Sequence, residues 1–120
     1  MRVSAAEFDD LVARALDQLP EEFSEILENI VVVVEDSPST EDLLGVGLDP
    51  ACDDLLGLYQ GVPQVDRDTF YSSLPDRVVL YREPILSLCT SRRQAVREIR
   101  DTLIHELGHH FGLDDEEMPY

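Results

Sequence analysis

Lysine is missing altogether. The nine basic residues of this 120-residue chain are all arginine, and they face 26 acids, for a formal net charge of −17. So few cations argue against a nucleic-acid partner, because binding a phosphate backbone depends on a basic surface. The same shortage argues against an anionic membrane. Four arginines do gather at Arg92, Arg93, Arg97 and Arg100. Glu98 and Asp101 interrupt them, so the cluster reads as a solvated helix face. What the charge favours is the attraction of cations, either metal ions or basic peptide segments.

Cysteine is scarce as well. Cys52 and Cys89 are the only two, too few for a disulfide framework, and they read as reduced, buried thiols. Long apolar runs are absent, so no stretch predicts a membrane span. The opening MRVSAAEFDD carries acids and no apolar core, unlike a secretory leader. These absences together lead to the expectation of a cytoplasmic protein. The length suits one domain covering residues 1–120.

What is present is mostly periodic. Ser4 with Glu7 has capping-box spacing. Phe8, Leu11, Val12, Ala15, Leu16 and Leu19 then recur at helical intervals until Pro20. EEFSEILEN suggests a short second helix. IVVVVED, from Ile30, is a β-branched run that predicts a strand apolar on both faces, and hence central in a sheet. Residues 37–54 read as a loop with one helical turn at Leu43 and Leu44. LLGLYQG (55–61) predicts an edge or bulged strand because of its glycines. RVVLY (77–81) predicts a third strand, with QVDRDTFYSSLPD as the connection. Pro84 to Cys89 predicts a short apolar helical turn. Ser91 with Gln94 then opens a helix running to about Phe111, where Gly112 is placed to cap it. The outline is α+β.

That last helix carries the chemistry. At about 100° per residue, Val96, Ile99, Leu103, Leu107 and Phe111 form one apolar stripe, with Ile104 at its margin. His105 and His109 fall together on the opposite side, one turn apart, where two imidazoles can share a metal ion. Glu106 lies beside them, placed to take a proton from water at the metal. The pattern is H-E-x-x-H. It extends to Gly112 and Asp115, H-E-x-x-H-x-x-G-x-x-D, in which glycine lets the chain turn off the helix and return a third ligand. His110 projects onto the apolar stripe and reads as a core histidine. No oxyanion donor is identifiable: Tyr81 and Tyr120 are candidates by chemistry alone, and each reads better as structural.

From His105 to Asp115 the sequence resembles the zincin metallopeptidases. With IVVVVED, RVVLYREPIL and the terminal HELGHHFGLDD, most of the chain is similar to the small bacterial zincin-like metallopeptidase family. The resemblance implies a zincin-like fold, a small sheet packed against helices with a C-terminal HExxH active-site helix. It implies zinc bound by His105 and His109, with Glu106 as general base. It carries the third-ligand role onto Asp115, where histidine is commoner, with Asp114 and Glu116 as neighbouring substitutes. The function expected is zinc-dependent hydrolysis of peptide bonds in a peptide or protein substrate, which LLGLYQG would hold by strand addition. A zinc-binding interaction module with little or no turnover is the alternative, and a partner completing the cleft is left open. A metal-dependent nuclease fits less well, since the charge repels RNA.

Overall fold

The structure is a computed structural model that describes residues 1–51, 54–61 and 76–110, the side chains of His109 and His110 excepted. Helix α1 (Ala5–Asp17) starts where the sequence places it, with Ser4 Oγ accepting the backbone N–H of Glu7 at 3.1 Å. Its apolar residues Phe8, Leu11 and Ala15 are buried. After Pro20 comes α2 (Glu21–Leu27), then strand β1 (Ile30–Glu35). The helical turn expected near Leu43 is α3 (Thr40–Gly45). It opens with a full capping box in which Ser39 and Asp42 satisfy each other's backbone donors. Strand β2 is Gly57–Gln60, β3 is Asp76–Tyr81, and α4 is Arg82–Ser87. The longest helix among the described residues, α5, is Arg92–His110.

The strand order is β1–β3–β2, with β1 parallel and β2 antiparallel to β3. This corrects one expectation. Among the described residues IVVVVED lies at an edge of the sheet, and RVVLY is central. Val31 is 45% exposed, whereas Val78, Val79, Leu80 and Tyr81 are all fully buried. A β-branched run shows that a strand forms, but its position depends on which distant strand pairs with it.

The two faces of β3 do different work. Val78 and Leu80 join the main core, where α1 and α5 supply Phe8, Leu11, Ile99 and Leu103. On the other face the Tyr81 hydroxyl donates to Asp42 Oδ2 at 2.8 Å, tying the sheet to α3. That bond holds the Asp42 carboxyl below its ordinary pKa. Burial and the same acceptor push the tyrosine upward. Arg82 fastens β1 to the chain's start. Its Nε and Nη2 both donate to Asp36, and Nη1 donates to the Val3 carbonyl at 3.2 Å.

On α5 the predicted stripe is the buried one: Val96, Ile99, Leu103 and Leu107. Ile104, read as marginal, is also fully buried, because the helix is packed by α1 and the sheet together. At its start Ser91 Oγ accepts the Gln94 N–H. Gln94 returns its carboxamide oxygen to Thr90 rather than to Ser91, and its nitrogen to the Leu88 carbonyl. Phe111 and Gly112 lie outside the described residues, as does most of QVDRDTFYSSLPD. No helix among the described residues is long and apolar enough to cross a membrane.

Candidate metal centre and active-site cleft

The exposed side of α5 meets the sheet at β2, an edge strand among the described residues. Between them is a cleft of ≈ 400 Å³, walled on one side by Asp54, Leu55, Leu56 and Gly57 and on the other by α5 residues that include His105 and Glu106. The predicted first ligand and the predicted base therefore face the same space. His105 is exposed and Glu106 half-buried. A ligand has to reach an incoming ion, whereas a base gains from partial removal from water.

Gly57 sets the width of this cleft. A Cβ there would stand 2.7 Å from Thr102 Cγ2, 3.1 Å from the Val79 carbonyl and 3.7 Å from Glu106 Cγ. Only a residue without a side chain lets β2 approach α5 so closely beside Glu106. Thr102 is buried at this crossing, with its hydroxyl donated to the Glu98 carbonyl at 2.8 Å. The glycine that argued for an edge strand is thus a close-packing position.

Sequence reasoning did not single out Asp54, Glu98, Asp101 or Thr102 as cleft residues. Glu98, Asp101 and Thr102 share the α5 face with His105, at the i, i+3, i+4 and i+7 positions of one helical row. That row could have been read from the spacing. Leu55, Leu56 and Gly57 belong to LLGLYQG, the segment expected to hold the substrate, whereas Asp54 was not legible. Four carboxylates border the cleft (Asp54, Glu98, Asp101 and Glu106), which concentrates divalent cations there. Asp101 also accepts Arg100 Nε at 3.1 Å.

His109 belongs to α5 by its backbone, one turn beyond His105, and its side chain is outside the described residues. Asp115, Asp114, Glu116 and Tyr120 lie outside them too. Among the described residues no group of three or more His, Cys, Asp or Glu side chains is set to hold a metal ion. The residue types that do line the cleft, the histidine His105 and several carboxylates, are of the kinds that zinc takes as ligands. Tyr81, with its hydroxyl on Asp42, is structural. Cys89 is buried, its thiol donating to the Ile85 carbonyl and held above the ordinary thiol pKa by burial.

Residues 27–120 match the family model for zincin-like metallopeptidases. The chain is a member of that family. Membership implies a zinc-binding kind of site in general and a metallopeptidase-like fold. A conserved hypothetical protein from Thermus thermophilus is similar in structure, with a TM-score of 0.57 and 27% sequence identity. The similarity covers 90% of this chain and 94% of that one. No curated protein sequence matches.

Proposed function

We propose that this zincin-like chain is a zinc-dependent peptide hydrolase. The observation that carries the reading is the cleft itself, where His105 and Glu106 of the H-E-x-x-H helix face the edge strand β2. His105 and His109 would hold the zinc, with Asp115 completing the set. When bound, zinc acts as a Lewis acid that lowers the pKa of water and polarises a carbonyl.

The remaining roles fall to the chain. Glu106 accepts the proton of the attacking water and passes it to the departing amine. Strand β2 is laddered to β3 on one side. At the edge of the sheet it is suited to pair with an extended peptide along the cleft. Leu55 and Leu56 offer that peptide apolar contact. Gly57 keeps its backbone close to Glu106.

Metal analysis of the purified protein tests this directly. About one zinc per chain is expected. It should be lost when His105 and His109 are both replaced by alanine, and full occupancy in that double variant refutes the assignment. Asp115→Ala should weaken zinc by more than the roughly 10–100-fold typical of losing a supporting residue, and Asp115→His should largely restore it. Zinc binding without cleavage of a broad peptide library would favour the interaction-module reading instead.

A further inference from the structure

Of the arginines read as a solvated face, three line a groove of their own, and the acids that interrupt them line the cleft. Glu98 and Asp101 turn into the cleft. Arg93, Arg97 and Arg100 turn the other way, into a groove of ≈ 380 Å³ against α1, where Arg14 and Gln18 complete the wall and Val96 the floor. Four of the chain's nine cations meet in this one groove. Arg93 and Arg97 are one turn apart on α5, as are Arg97 and Arg100, so their like charges repel.

Acids to neutralise them are abundant, and the groove does not use them. Asp10 and Asp17 lie one turn to either side of Arg14. Yet among the described residues Arg14, Arg93 and Arg97 have no side-chain hydrogen-bond or ion-pair partner, while neighbouring Arg92 is paired with Glu7 and Arg100 with Asp101. Three such guanidinium groups beside a paired one, in a chain of charge −17, make a site shaped for an anion. The guanidinium fork matches phosphate oxygens two at a time.

We infer that the groove between α1 and α5 binds a small phosphate-bearing anion with more than one phosphate charge. Its volume fits a small molecule. The overall negative field opposes a long polyanion such as RNA or an acidic protein segment. At physiological salt that field is screened beyond about 8 Å, so a compact anion inside the groove responds mainly to the arginines. This site lies on the opposite side of α5 from His105 and Glu106 and is independent of the hydrolase reading.

Calorimetric titration of the full chain with inorganic pyrophosphate, at about 0.15 M salt, tests the inference. Saturable binding of one pyrophosphate per chain is expected. It should be weakened about tenfold or more in the double variant Arg93→Gln and Arg97→Gln, since each charge-assisted pair contributes strongly. Both side chains are exposed, and a matched thermal unfolding midpoint would confirm that the variant is folded. Unchanged binding in a His105→Ala chain would separate the groove from chelation at the metal centre. Any of three results overturns the proposal: no saturable heat, undiminished binding in the double variant, or binding of a polyglutamate peptide but not of pyrophosphate.

Discussion

Two stripes of one helix divide the labour of this molecule. Ile99, Leu103, Ile104 and Leu107 of α5 are fully buried against α1 and the sheet. His105 and Glu106, interleaved with them in sequence, look out into the cleft. Because the helical period is 3.6 residues, adjacent positions point apart, so the residues that stabilise the fold and those proposed to act in the cleft lie in the same short segment without sharing side chains. Substitutions on the first stripe should therefore unfold the protein, and substitutions on the second should disable it while leaving it folded.

The largest effect on stability is expected from the buried stripe. Leu103→Ala should cost about 2–5 kcal/mol, the range for a leucine cavity in a packed core, read as a lower midpoint in urea. A loss below about 0.5 kcal/mol would mean that α5 is not packed as described.

Gly57→Ala probes the boundary between the stripes. Its new methyl would meet Thr102 Cγ2 and the Val79 carbonyl, so a loss of about 1–3 kcal/mol is expected from overpacking. Thr102→Ser removes the offending methyl and should recover part of that loss. Simple additivity in the double-mutant cycle would argue against the contact.

A smaller effect should come from the far face of the sheet, away from the helix. Tyr81→Phe deletes the hydroxyl that holds Asp42 below its ordinary pKa, at a cost of about 1 kcal/mol near neutrality. The sign is fixed by linkage. A depressed carboxyl contributes stability above its unfolded pKa, near 4, and loses it as pH falls through the folded value. The gap between wild type and variant should thus be full at pH 7 and shrink below about pH 4. A gap that widens in acid would contradict the assignment.

Much of the fold was legible because its signals are local. The Ser4 cap, the break at Pro20 and the apolar row of α5 each lie within a few neighbouring residues, and each proved correct. The errors came from pairing at a distance. IVVVVED looked central until β3 was seen to hold both β1 and β2. Ile104 looked marginal until α1 and the sheet were both in place. Part of the cleft was legible too. His105, Glu106 and LLGLYQG were expected at one site and line one cleft, while Asp54, Glu98, Asp101 and Thr102 were added to its wall by the tertiary structure. The arginine groove was not legible because Arg14 arrives from another helix, while the exposure of Arg92, Arg93 and Arg97 agrees with the solvated face read from the sequence. His109 and Asp115 rest on the motif.

Turnover in Glu106→Gln tests the central claim most directly, because the amide keeps the shape of the side chain and cannot take a proton. With a peptide that the wild type cleaves, the variant should keep about one zinc per chain and an unfolding free energy within about 0.5 kcal/mol of wild type. Its kcat should fall by about 10²–10⁴-fold. Wild-type kcat in the zinc-loaded variant would contradict Glu106 as the base, and with it the division of α5 into a stripe that folds and a stripe that reacts.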